Sequence, residues 1–396
     1  ASLSAGNYRA ESVTYYVTIG QGNQDITLTP AEGDAEGWSA EEPSMTKTLG
    51  QQASFTVTGQ AAIGEPEITY AVTSESGEGG TSADVIDVES SSGLVTIKGA
   101  GSATVTVTAG DDPGGLAQGM SVTYRVTIQK GEAEIDTAEI PAASTYGSAP
   151  DALEDYQKAT VRTKGQEDSF QPQPAAEGDS ALAYQFYRTE SGAINETESD
   201  RFSGVPTDVG EYFLRVDYPG DQNYNAAYAV VKITISNADV GDITAGYEAE
   251  YDGGEHDLAQ IVRETEAVAA IPGASVQVTE SSAEPGEGAQ WQDSLTVKDV
   301  ADSTSGTVRY WYKIAATGYT TQIGEVIVRI TPKDVTISGE PVTEKIYDGN
   351  EALAQPEDGF SAGTGIDGES VSVTASGTFE DANAGTGKAL TITYTL

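Results

Sequence analysis

One pattern occurs three times in this chain. The stretch Lys345-Ile346-Tyr347-Asp348-Gly349-Asn350-Glu351-Ala352-Leu353 has a close copy in Ala249-Glu250-Tyr251-Asp252-Gly253-Gly254-Glu255-His256-Asp257-Leu258. A second copy, one residue shorter after the tyrosine, is Ser144-Thr145-Tyr146-Gly147-Ser148-Ala149-Pro150-Asp151-Ala152-Leu153. A tyrosine, a tight glycine turn and a leucine thus recur about once per hundred residues, and self-similarity at that period means tandem domains. The segments ahead of each motif repeat as well. Residues 124–130, 230–236 and 325–331 each alternate apolar and polar side chains and then enter a short polar hinge. A period of two is a strand with one buried face, so each module ends on a strand and hands the chain directly to the next.

This spacing predicts an all-β chain of tandem sandwich modules in an extended array. Its divisions are residues 1–21, a tail strand too short to be a domain, then 22–131, 132–238, 239–333 and 334–396, the last read as truncated by comparison with the others. In the first full module, Leu94–Ile97 and Ser102–Thr108 read as two alternating strands joined by a glycine-rich turn, the signal of a hairpin. Val105 and Val107 then face the core, with Thr104, Thr106 and Thr108 toward water. In the next module Tyr212, Leu214, Val216 and Tyr218 form one face of a strand whose expected partner is Tyr184–Arg188. In the third, Tyr310, Tyr312 and Ile314 point inward and Trp311 outward, while Leu258–Ile271 fits either a strand or a short helix. Pro332 in the hinge Thr331-Pro332-Lys333-Asp334 fixes φ and limits bending there.

Tyr347-Asp348-Gly349, followed by Gly377-Thr378-Phe379 and Ala384-Gly385-Thr386-Gly387-Lys388, resembles the YDG repeat of bacterial surface proteins, and Tyr251-Asp252-Gly253 resembles a relative of it. Thr145-Tyr146-Gly147, with Gly210-Glu211-Tyr212 and Gly220-Asp221-Gln222-Asn223-Tyr224-Asn225-Ala226, is similar to the YGX type of MBG domain. Val85-Ile86-Asp87-Val88 and the strands that follow it resemble the group 2 bacterial Ig-like domain. Leu3-Ser4-Ala5-Gly6-Asn7-Tyr8 and Tyr15-Tyr16-Val17-Thr18-Ile19-Gly20 read like the tail of a YDG-type repeat. These resemblances imply a bacterial cell-surface location, with the export signal and anchor outside residues 1–396. They also imply Ig-like sandwiches, and an exposed Leu390, Ile392 and Tyr394 edge that pairs with residues 1–21 of a neighbouring chain.

Composition narrows the chemistry. Twenty Lys plus Arg against sixty-two Asp plus Glu give a formal charge of −42, which repels polyphosphate and anionic lipid head groups. No nucleic acid and no direct membrane insertion are therefore expected. No apolar run approaches the roughly twenty residues of a membrane helix, and residues 1–20 lack the pattern of a signal peptide. Cysteine is absent, which removes disulfides and thiolate metal sites.

Few residues suggest a site. His256 is the only histidine and no nucleophile elbow accompanies it, so a Ser-His-Asp triad has no basis. Gly385-Thr386-Gly387-Lys388 has part of a phosphate-loop spacing, but Ala389 stands where the magnesium-binding hydroxyl belongs. Calcium is the one cofactor the sequence admits, at Asp111 and Asp112 after a strand end, or at Asp217 and Asp221 with Asn223 in one loop. Solvated turn acids are the competing reading. Lys232 and Lys313 lie on strands where an isopeptide bond to Asn or Asp is conceivable. Trp311, if exposed, and the loops near Tyr224 are the places where a sugar or protein surface would bind.

The expectation is a non-enzymatic stalk segment of a bacterial adhesin that presents a distal binding region. Two alternatives remain open: a module that binds host glycans or proteins, and accessory modules of a surface carbohydrate-active enzyme.

Overall fold

The structure, a computed structural model, describes residues 11–78, 84–166, 169–170, 182–300, 306–340, 344–353 and 360–396. Leu3–Tyr8 lie outside them. The regular structure of the described chain is nearly all strand, with a few short helices, and the chain forms two compact units. One comprises residues 1–144 and 148–235, and the other residues 145–147 and 236–396.

The first unit opens with a two-sheet sandwich built from β1 (Ile26–Pro30), β2 (Ser44–Thr48), β3 (Ser54–Ala61), β4 (Ile68–Gly77), β5 (Ile86–Val88), β6 (Leu94–Ile97), β7 (Gly101–Ala109) and β8 (Met120–Gln129). One sheet runs β1-β3-β6-β5, and the other runs from Trp38–Ser39 through β2-β8-β7 to β4. The alternation in the sequence becomes the core directly, because successive side chains on a strand face opposite sides. Val105 and Val107 on β7 and Tyr124, Val126 and Ile128 on β8 are all buried in one cluster with Met45, Phe55 and Val57. Thr104, Thr106 and Thr108 are half-buried rather than in water.

The expected hairpin does not form. β6 pairs with β3 and β5, whereas β7 pairs antiparallel with β4 and β8 in the opposite sheet. The glycine-rich link is a crossover between sheets. Gly101 makes this sharp change of direction with φ +149°, and a Cβ there would lie 2.4 Å from the Ser76 carbonyl oxygen. Short-range alternation specifies strands but not which sheet each one joins.

The same unit continues with β9 (Ala133–Asp136), β10 (Ala143–Thr145), β11 (Thr160–Thr163), β12 (Ala183–Tyr187), the short helix α1 (Glu190–Asn195), β13 (Gly210–Tyr218) and β14 (Ala227–Ser236). Its larger sheet has the order β10-β14-β13-β12. Tyr184 opposes Val216 and Phe186 opposes Leu214, as the aromatic alternation suggested. Phe186, Leu214, Val216, Tyr218 and Ile233 form the core. On the reverse face Arg215 is also buried. Its Nη1 donates to the Ala193 and Ile194 carbonyls at 2.9 Å, and its Nη2 meets Glu196 and Asp217 at 2.7 Å. A buried guanidinium survives only with such complete pairing.

In the second unit, β15 (Ala245–Glu250) leads through α2 (Leu258–Arg263) and α3 (Glu266–Ala269) to β16 (Ser275–Glu280), β17 (Thr307–Ala315) and β18 (Gln322–Thr331), in the order β15-β18-β17-β16. The open choice at Leu258–Ile271 thus resolves as helix. Asp257 caps α2 by accepting the Ala259 N–H, and Leu258, Val262, Val268 and Ile271 recur at helical spacing into the core. The last segment carries β19 (Thr336–Ser338), β20 (Ala352–Leu353), β21 (Ser361–Gly363), β22 (Thr374–Phe379) and β23 (Leu390–Thr395). These form a pair β19-β21 and a sheet β20-β22-β23.

Candidate functional site

Two of the three tyrosine–glycine turns share one piece of chemistry, and all three place glycine in left-handed backbone. In Tyr251-Asp252-Gly253 the Asp252 carboxylate accepts the Gly254 N–H at 2.8 Å, and in Tyr347-Asp348-Gly349 Asp348 accepts the Asn350 N–H at 2.9 Å. This is the local turn that a short acidic side chain makes with the backbone two residues on. Glycine follows because the next residue must be left-handed: φ is +75° at Gly253, +78° at Gly349 and +76° at Gly147. The backbone hydrogen bond, followed by that with His256, holds the Asp252 carboxyl below its ordinary range. Asp348 is lowered first by Lys345 and then by the Asn350 N–H.

Where each tyrosine points decides what the turn does. Tyr146 stacks edge-on against Tyr319 with centroids 5.7 Å apart, and Gly318 beneath it has no room for a side chain, since a Cβ would fall 2.4 Å from the Tyr146 ring. Tyr251 packs at the edge of the core formed by β15–β18 and donates its hydroxyl to Glu369 of the last segment at 2.6 Å. Beside it a Cβ on Gly253 would lie 2.8 Å from Ile366. The hydrogen bond to Glu369, then burial, pushes the Tyr251 phenol up to about 12. Tyr347, by contrast, is 67% exposed and its neighbour Ile346 92% exposed. Two tyrosines of the pattern are clasped and one is bare.

The first unit has an equivalent clasp built around Tyr224. Gly131 donates to the Asn223 carbonyl and Asn225 donates back to Gly131, both at 2.9 Å. Asn223 Oδ1 accepts the Ala100 N–H at 2.9 Å, Lys130 Nζ donates to the Asp221 carbonyl at 2.8 Å, and the Tyr224 hydroxyl lies 3.0 Å from Thr163 Oγ1. Gln166 bonds the Gly50 carbonyl. The loop near Tyr224, read as a ligand-binding or calcium loop, therefore holds residues 22–131 to residues 132–235.

The calcium candidates fall at two separate places. Asp112 is buried and accepts the Leu116 N–H at 2.9 Å, while Asp111 accepts the Gly119 N–H at 2.7 Å. Asp217 pairs with Arg215, and Asp221 accepts the N–H groups of Asn223 and Tyr224 at 2.7 and 2.8 Å. Among the described residues no three carboxylates or imidazoles are grouped as a metal ion requires. His256 stacks on Tyr247, with Nε2 2.8 Å from its hydroxyl and 3.1 Å from Asp252. Lys232 pairs with Glu211 at 2.6 Å, and Lys313 lies over the Trp291 ring.

Trp311 is not exposed as the alternation suggested. It does occupy the face opposite Tyr312 and Ile314, but it is only 9% exposed. The segment after β16 folds back over that face. Gln292 bridges Val278, Trp291 covers Lys313, and Thr279, directly opposite Trp311, is buried too. A loop distant in sequence supplies the cover, which period-two reasoning does not see. Trp311 is thus removed as an exposed binding platform.

The last segment offers a groove of about 740 Å³ lined by Lys345, Tyr347, Asp348, Phe379, Leu390 and Ile392. Lys345 Nζ is tied to the Asn350 and Ala352 carbonyls and to Asp348, at 2.7–2.9 Å. Lys388 bonds Asp381, which also accepts the Asn383 N–H at 2.8 Å. The Gly385–Lys388 stretch is therefore a turn closed by its own lysine. Lys345 sits inside the repeated pattern, and Lys388 ends the glycine run whose spacing only partly matches a phosphate loop.

These features define a chain of tandem all-β modules that carries a repeated tyrosine–glycine turn. Residues 331–396 match the YDG domain family, supporting the resemblance read from Tyr347-Asp348-Gly349. No curated protein matches the chain. Solved structures found as similar include the protocadherin gammaB7 EC3-6 cis-dimer (9% identity, TM-score 0.21, 89% of this chain and 97% of that chain). Others are mouse cadherin-23 EC22-24 (12%, 0.22, 78% and 100%) and the insect immune protein hemolin (11%, 0.24, 73% and 75%). TM-scores at this level mean that the whole chains do not superimpose. No helix among the described residues is long and apolar enough to cross a membrane.

Proposed function

We propose that this chain is a non-catalytic repeat segment of a bacterial cell-surface adhesin, serving as a stalk that presents a binding region carried elsewhere. MBG-type and group 2 Ig-like modules, read from the sequence, precede the YDG domain in this assignment. The observation that carries it is the clasp at the Gly131–Tyr224 joint. A stalk must transmit position, and a joint held by side-chain and backbone hydrogen bonds on both sides of the link resists bending in a way that a bare linker does not. The high acidity suits the same role by keeping neighbouring chains apart.

The test is small-angle scattering of the whole chain beside a variant carrying Asn223→Ala and Tyr224→Ala. The stalk reading expects wild-type scattering that a single conformation fits, and broadening in the variant while its circular dichroism stays unchanged. Wild-type scattering that demands a broad ensemble across that joint would sink it. A parallel screen against mucins, matrix proteins and glycans addresses the adhesive alternative. Saturable binding that disappears in Tyr347→Ala would move the function to the groove of the last segment.

A further inference from the structure

The segment that covers Trp311 is pinned at both ends and spans a pocket between them. It leaves β16 at Glu280, and on its return Gln292 exchanges backbone hydrogen bonds with Val278 at 2.8 and 2.9 Å. Asp293 then accepts Gln277 Nε2 at 2.9 Å, and Lys313 Nζ lies 5.0 Å from the centre of the Trp291 ring. Between these fixed ends, residues 281–290 and the end of β16 enclose a pocket of about 510 Å³. That is a size at which ligand clefts are found, roughly 300–1,000 Å³.

The lining differs from that of most clefts, which are largely apolar. Thr279, Glu280, Ser281, Glu284 and Gln290 bring two carboxylates, two hydroxyls and an amide to it. Ser281 donates its hydroxyl to the Ala283 carbonyl at 2.6 Å, so Glu280, Glu284, Gln290 and Thr279 are the groups that a ligand would meet. A second observation comes from the sheet beneath. Thr279 stands directly opposite Trp311 across β16 and β17, so the two side chains share one face, and both are buried. The indole Nε1–H of Trp311, in a residue only 9% exposed, has no hydrogen-bond partner. Folded proteins rarely leave a buried donor unpaired without a reason, and this donor belongs to the face that the pocket occupies.

We propose that the pocket formed by the end of β16 and residues 281–290 binds a neutral or amino sugar unit of a glycan. Each sugar hydroxyl is donor and acceptor together, so one ring can serve the carboxylates and amide oxygen as donor and the indole N–H as acceptor. Two carboxylates on a chain of charge −42 repel uronates and sialic acids, while they strengthen hydrogen bonds from a hydroxyl or an ammonium group. A metal ion fits less well. Among the described residues no third carboxylate or imidazole joins this pair, and an indole N–H offers a cation no lone pair. The ring face of Trp311 stays covered and takes no part. The proposal goes beyond the stalk reading and does not depend on it, since a stalk module can carry a sugar site on its flank.

Calorimetric titration of the whole chain tests it, with chitotriose, cellotriose, maltotriose and chitosan trimer as probes and trigalacturonate as the acidic control. At least one of the first four binds saturably, and trigalacturonate does not. Glu284→Gln, a change at an exposed position, weakens that binding about tenfold, as the loss of one charge-assisted hydrogen bond does. Trp311→Phe keeps an aromatic ring, removes the N–H and weakens binding roughly fivefold. Failure of all four sugars to bind overturns the proposal. So does binding that either substitution leaves at full strength, which would put the sugar elsewhere on the chain. Binding of calcium chloride alone that Glu284→Gln abolishes also overturns it, and would make the pocket a cation site.

Discussion

Tyr251 and Tyr347 occupy the same Tyr-Asp-Gly turn, with the same carboxylate-to-amide hydrogen bond and left-handed glycines within 3° of each other in φ, +75° and +78°. Tyr251 directly follows β15, which pairs in parallel with β18, and the ring joins a core while its hydroxyl reaches Glu369. Tyr347 follows no strand, and its ring is two-thirds exposed at the groove of the last segment. The turn is thus set locally by three residues, whereas its use as a joint is set by what is packed beside it. Local conformation and tertiary role are separable here, and the pair of turns measures the difference.

The widest contrast is between a closed core and an open one. Val107 on β7 is fully buried between two sheets, so Val107→Asp places an unpaired charge where nothing can solvate it. It should cost more than about 4 kcal/mol and unfold the first sandwich. The matching change on the open strand, Ile392→Asp, keeps its charge near water and should cost about 1 kcal/mol or less. Thermal unfolding by circular dichroism of the two variants compares them directly. Equal losses would mean that β23 is already covered in solution.

Next in size is the tyrosine itself. Tyr251→Ala removes core contacts and leaves Glu369 without its donor, a loss of about 2–3 kcal/mol for the second unit in urea unfolding. Tyr347→Ala removes a ring from solvent and should fall within about 0.5 kcal/mol of wild type. Glycine substitutions sharpen the same pair. Both Gly253→Ala and Gly349→Ala force a side chain into left-handed backbone at about 1 kcal/mol. Only Gly253→Ala also drives a Cβ to 2.8 Å from Ile366, so it should lose measurably more. Equal effects would place the Tyr251 turn and Ile366 further apart in solution.

The strands were legible because their alternation is strong. Leu214, Val216 and Tyr218 against Phe186, and Val105 with Val107, needed only period-two reasoning and a burial rule. Sheet membership was not legible at β6 and β7, since two consecutive alternating strands look the same whether they pair or cross to opposite sheets. Trp311 failed for a related reason. Alternation gave its face correctly, but that face is packed over by a remote segment, with Trp291 on the neighbouring Lys313, and such packing has no periodic signature. The clasp at Tyr224 was half visible. Asp221 and Asn223 stood out as a cluster of oxygen donors, yet the same residue types serve backbone N–H groups as readily as a metal ion. Ala100, the partner that decides between those uses, carries no side-chain signal at all.

The finest test of the contrast uses protons. The Tyr251 phenol is raised from 10.0 to about 12, first by its hydrogen bond to Glu369, so the folded chain holds this proton more tightly than the unfolded one. Its contribution is complete below pH 10 and lost as the pH rises from 10 through about 12. Asp252 and Asp348 run the other way: both carboxyls are lowered in the fold, so their contribution is present above the ordinary carboxylate range and lost as the pH falls through the folded values. Acid therefore loosens both turns alike, while alkali adds a step that belongs to the Tyr251 joint. Urea unfolding of wild type and Tyr251→Phe at pH 9 and near pH 11.5 should show the wild type losing more stability between the two than the variant. The absorbance titration should lose one late-titrating phenol in the variant. Parallel losses in the two proteins would mean that Tyr251 does not meet Glu369 in solution, and the two turns would then differ only in burial.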